Sequence, residues 1–103
     1  MEQIFVLFEV IIKKDFMNTY LVMAANLKNE IAKAKGFIRS ERFSSIKNER
    51  KLLSLSVWEN EEAINEWHNN SEHIKAQQEG RNSIFESYTI TTTSAIRSYT
   101  KTM

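Results

Sequence analysis

His73 and Gln77 stand four residues apart, a spacing that places both on one face of a helix, with Trp67 and His68 shortly upstream. An imidazole titrates near neutrality, so His73 can accept a proton from a phenolic or quinol hydroxyl at cellular pH. Gln77 shares its face and can hold an oxygen atom or anion of a ligand. Trp67 supplies a flat apolar wall carrying one hydrogen-bond donor, suited to an aromatic ring. The plainer readings are that His73 bonds only to backbone and that Trp67, spaced from Ala63 and Ile64 as packing demands, is core. His68 adjoins Trp67 on the helix, so it is expected to point away from that face into solvent. His68 and His73 are five apart and project from different faces, which excludes joint metal chelation. With no cysteine and two glycines in the chain, thiolate chemistry and a nucleotide cradle are excluded as well.

The elements that must position these residues follow from periodicity. The run from Gln3 to Lys13 is short, β-branched and aromatic, and reads as a strand apolar on both faces. Asp15 is expected to cap a helix reaching about Lys35, with Phe16, Tyr20, Met23, Leu27, Ile31 and Ala34 as its stripe, closed by Gly36. A partly exposed strand covers Phe37 to Ser45, Ile46 to Arg50 is a hairpin loop, and Lys51 to Trp58 is the third strand. Asn60 caps a short helix, Asn69 to Ser71 interrupt it, and Ser71 opens a second segment ending at Gly80. Arg81, just past that end, suits the helix dipole. The last strand is read over Ser83 to Tyr99. That is long for so small a domain, and its part from Thr91 on is expected to reach beyond its own subunit.

The order βαββαβ is the ferredoxin-like split arrangement, an α+β fold with an antiparallel four-stranded sheet and its helices on one face. Two helices cover one face only. The first strand is greasy on the other, so a second copy of the chain is expected to cover it, forming a homodimer. Residues 1–103 read as one domain, without repeats, linkers or prolines. A net charge of +1 builds no field for nucleic acid or an anionic membrane. The apolar run Ile4 to Ile12 is preceded by Glu2 rather than a basic residue and is too short for a bilayer, so a cytoplasmic location is expected.

Gly36-Phe37 opening the second strand, Val57-Trp58-Glu59 ending the third, and Glu62-Ala63-Ile64 followed by Trp67 resemble the antibiotic biosynthesis monooxygenase family. Ser71-Glu72-His73, Ala76-Gln77 and Gly80-Arg81 extend the resemblance, which is densest from Leu53 to Arg81. It implies a dimeric α+β barrel with a pocket in each subunit between sheet and helices. It also implies a cofactor-independent monooxygenase acting with dioxygen on a small aromatic or quinol. His73 would be the base, Trp67 and Gln77 its catalytic companions, and Phe8, Phe37, Trp67 and Arg81 substrate contacts. No metal is expected. Haem-degrading members imply a first-strand asparagine and a histidine ligand late in the second helix; here Phe8 and Gln77 stand near those places, so haem is disfavoured. The competing class is a small-molecule-binding or stress-response dimer of the same fold without catalysis.

Overall fold

A computed structural model describes residues 2–79 and 83–103, leaving aside the side chains of residues 71–73. The elements run β1 (Ile4–Ile12), α1 (Met17–Ile31), β2 (Phe37–Ser44), β3 (Lys51–Trp58), α2 (Glu61–His68), α3 (Ser71–Glu79) and β4 (Phe85–Ser94). The strands form one antiparallel sheet in the order β2-β3-β1-β4, the ferredoxin-like topology expected. β1 is apolar at every position but Glu9, which pairs with Lys51 at 4.0 Å, because it is central: β3 and β4 flank it in the sheet, and both of its faces carry hydrophobic residues.

Strand alternation and register sort the sheet into two faces. Val6, Phe8 and Val10 of β1 face the helices, with Leu52, Ser54, Ser56 and Trp58 of β3 as their partners or neighbours. On that side Val10, Ile12, Tyr20, Ala24, Leu52, Ile84 and Phe85 form one buried cluster, and Val6, Trp58, Ala63, Ile64 and Trp67 form a second. Phe5, Leu7 and Ile11 take the opposite face, together with Leu53 and Leu55 of β3 and Phe43 of β2, and no element of the described residues lies over them.

Three boundaries depart from expectation. Asp15 does not cap α1: it sits at φ +72 in a tight turn closed by Phe16 N–H donating to the Lys13 carbonyl (3.1 Å), and Phe16 holds the cap position without a side-chain bond. The short Asp side chain tolerates this left-handed conformation. α1 ends at Ile31 rather than Lys35, because the chain tightens into three-residue turns, Lys33 to Glu30 and Ala34 to Ile31. Thr91 to Ser94 stay within their own subunit, paired to Leu7 through Ile4 of β1; only the chain beyond Ser94 leaves the sheet.

Gly36 adopts φ +84, and a Cβ there would meet the Ala63 Cβ at 2.5 Å. Its carbonyl also accepts from Glu59 N–H at 2.8 Å, locking the turn to the end of β3. Gly36→Ala should therefore lose about 2–4 kcal/mol, the sum of a left-handed backbone penalty and an overpacked contact, read as a lower midpoint in urea unfolding.

Candidate functional site

The serines of β3 create the site. In the segment Leu53-Ser54-Leu55-Ser56-Val57, alternation sends the leucines outward and the serines toward the helices, opposite Phe8 and Val6 of β1. Ser40 of β2 faces Ser56, and Arg42 faces Ser54. Small residues where a core would place large ones leave a cavity of about 440 Å³ between the sheet, α1 and the α2–α3 arm. That volume suits a ligand with one or a few rings. It also explains why Met23, Leu27 and Ile31, on the inner stripe of α1, remain only half-buried: they face the hollow.

Asn60 sets the arm, its Oδ1 accepting from Ala63 N–H at 2.9 Å, while Glu61 and Glu62 meet the positive helix end. Ala63, Ile64 and Trp67 are thereby buried. Trp67 is 6% exposed, stacks obliquely 6.4 Å from Trp58, and lines the cavity. Trp58 donates through Nε1 to Ser56 Oγ at 2.9 Å and lines the cavity too, as do Phe8, Phe85, Ala76 and Gln77.

Gln77, Trp67 and Phe8 are thus brought together on one wall. Phe37 is not: it packs edge-on against Trp58 at 5.4 Å, behind the wall. The His73 side chain and Arg81 lie outside the described residues. His68 corrects the sequence reading. It is half-buried at the C-terminal end of α2 and lines the cavity instead of pointing to solvent. Two neighbours on a helix differ by about 100° in direction, and a cavity that wraps the helix end receives both. Burial pushes His68 below the ordinary imidazole value of 6.5, which keeps the ring neutral and able to accept a proton.

Tyr20 and Arg42 were not singled out in the sequence, where one reads as helix stripe and the other as exposed strand. Both line the cavity, with the Arg42 guanidinium carbon 5.8 Å from the Tyr20 ring centroid. Burial raises the Tyr20 hydroxyl above its usual value of 10.0 against the opposing pull of the Arg42 charge, so the phenol stays protonated. The signal that could have found Arg42 is its register: after Phe37, the helix-facing positions of β2 carry Ser40, Arg42 and Ser44, which leave the space beside them unfilled. Among the described residues no three His, Asp or Glu side chains converge as a metal site, and no helix is long and apolar enough to cross a membrane.

The sequence model of the antibiotic biosynthesis monooxygenase family matches residues 3–79. A jasmonate monooxygenase from Pyricularia oryzae is 35% identical over 83 residues, 81% of this chain and 39% of that protein, so the chain spans well under half of its relative's length. Among solved structures, a protein from Shewanella oneidensis superposes with a TM-score of 0.85 at 17% identity, over 91% of each chain. SnoaB from Streptomyces nogalater, a cofactor-independent oxygenase, superposes with a TM-score of 0.84 at 10% identity, covering 98% of this chain and 100% of its own.

Proposed function

Because the chain belongs to the antibiotic biosynthesis monooxygenase family, we propose that it is a homodimeric oxygenase that oxidises a small aromatic or quinol-type ring with dioxygen and without a cofactor. The observation that carries this reading is the cavity itself: an aromatic hollow with a neutral imidazole (His68) and an amide (Gln77) on one wall. The activities of the two similar proteins, a monooxygenase and a cofactor-independent oxygenase, support it. Gln77, standing where haem-degrading members imply a histidine, offers an amide, which is not among the usual axial ligands of haem iron.

The chemistry asks little of the protein. An imidazole of the arm takes a proton from the bound ring, and the electron-rich anion passes an electron to dioxygen. The resulting radical pair combines into a peroxide anion, which takes the proton back from the imidazolium to give a hydroperoxide. At a ring methylene, loss of water then leaves a carbonyl, with both methylene hydrogens and one oxygen atom departing as water. The walls supply position, exclusion of water and stabilisation of the anion. Trp67, Trp58 and Phe8 hold the ring, and Gln77 donates to its oxygen. His68 is the proton acceptor among the described side chains; His73, four residues before Gln77 in the sequence, is the other imidazole that could serve.

The dimer follows from the face opposite the helices, where Phe5, Leu7, Ile11, Leu53, Leu55 and Phe43 form an apolar field that a second copy would cover. The chain beyond Ser94 adds to it. Ile96 and Tyr99 are 92% and 91% exposed, bare in one subunit and placed to clasp another.

Oxygen uptake with a panel of anthrones, quinols and jasmonate tests the reading, in chelator-treated buffer and against autoxidation blanks. Uptake above the blank with at least one substrate is expected, with loss of about 10²–10⁴-fold in whichever of His68→Ala and His73→Ala removes the base. If His68 is the base, its lowered pKa puts the midpoint of the acid limb below pH 6.5. Unchanged uptake in both variants, or none above the blank, supports the non-catalytic binding dimer instead.

A further inference from the structure

We propose that the cavity selects a ring-bearing ligand that also carries an anionic group, and that Arg42 is the counter-ion for that group. This rests on the reading of the cavity as a small-molecule site and narrows what enters it. Arg42 and Lys28 line the cavity from β2 and α1, both exposed to solvent, while most of the remaining lining is aromatic and aliphatic. Three ion pairs occur among the described residues, Lys33–Glu30, Arg50–Glu86 and Lys51–Glu9, and none of them engages Arg42 or Lys28. Glu41 is the single carboxylate of the lining among the described residues, but it precedes Arg42 on an edge strand, where alternation sends consecutive side chains to opposite faces.

Arg42 is instead held over the Tyr20 ring, its guanidinium carbon 5.8 Å from the centroid. A cation on an aromatic face keeps its in-plane N–H donors available at the ring's edge. The rim around it is polar, with Ser40 and Ser54 beside it in register. A wholly apolar ligand filling the hollow would cover this guanidinium, removing its water without replacing the hydrogen bonds. A carboxylate, sulfonate or ionised hydroxyl at the rim replaces them with charge-assisted bonds, and the fork of guanidinium donors matches such groups in pairs. One guanidinium N–H bonds the Tyr20 oxygen, which keeps its own proton to donate, and the other N–H groups of Arg42 are left for the ligand.

Two fluorescent probes with one aromatic frame isolate the claim: 1-anilinonaphthalene-8-sulfonate, which is anionic, and N-phenyl-1-naphthylamine, which lacks the sulfonate. Both tryptophans of the chain line the cavity, so energy transfer from tryptophan to probe reports binding there. The unmodified chain should bind the sulfonate probe more tightly than the neutral one, and added salt should weaken only the former. Arg42→Gln should weaken the sulfonate probe about tenfold or more and leave the neutral probe within about twofold. Arg42→Lys, keeping the charge but losing the fork, should fall between. Equal losses for both probes in Arg42→Gln, or none for either, overturn the assignment of Arg42 while leaving the cavity as a ring site. Failure of the neutral probe to enter the unmodified chain overturns the cavity reading, and this inference with it.

Discussion

Leu7→Glu is expected to convert the proposed dimer into monomers while leaving each subunit folded. Leu7 lies in the middle of β1, opposite Leu55 of β3 and Thr91 of β4, on the face that no helix covers. In one subunit it is only half-buried, so a glutamate there can still reach water and the isolated fold keeps its helix-side cores. In a twofold assembly of sheet against sheet the same position is fully enclosed. Symmetry then sets two glutamates into the apolar field, since a twofold interface contains every substitution twice. At about 2 kcal/mol or more for each buried, unpaired carboxylate, association weakens by at least about 10³-fold. Sedimentation velocity across a concentration series reads this directly, and circular dichroism checks the fold. Deleting the chain after Ser94, which removes exposed Ile96 and Tyr99, should weaken the dimer in the same direction by a smaller factor. A wild-type chain that sediments as a monomer, or a Leu7→Glu variant that dimerises as tightly as wild type, ends this reading.

The two-sided apolar character of β1 could be read early, because it is visible as eight hydrophobic residues within nine. The element order was legible for the same reason: strand and helix periods are written in which residues repeat. The Lys51–Trp58 strand and the Asn60 cap came out as expected because alternation and a short polar side chain before two glutamates are local signals. What local signals do not carry is the width of the hollow. His68 was assigned to solvent by its angle from Trp67, yet the cavity wraps the end of α2 and takes in both directions. Arg42 was an unremarkable charge in an exposed strand until register set it beside Ser54 and over Tyr20. The end of β4 failed differently. Composition after Ser94 remains strand-like, but β1 has run out of residues for it to pair with: Ile4 is the last partner. Pairing length belongs to the neighbouring strand and cannot be read from the segment itself.

The Leu-Ser-Leu-Ser alternation of β3 links these points, since it spends large side chains on the outer face and small ones on the inner. That economy makes the few large inner residues indispensable, and Trp58 most of all. It is 1% exposed, meets Phe37 edge-on at 5.4 Å and Trp67 at 6.4 Å, and anchors its indole N–H on Ser56. Trp58→Ala should cost about 3–5 kcal/mol, and the hollow beside it already deprives the cluster of atoms that could collapse into the gap. Set against the ~5–15 kcal/mol that holds a domain together, this loss removes a large part of the chain's stability. Trp58→Phe retains the aromatic contact with Phe37 and gives up the indole hydrogen bond, so a clearly smaller loss is expected. Urea unfolding of the three proteins ranks them. If Trp58→Ala proves no less stable than Trp58→Phe, the tryptophan is only cavity lining, and the second core cluster must draw its stability from Val6, Ala63, Ile64 and Trp67.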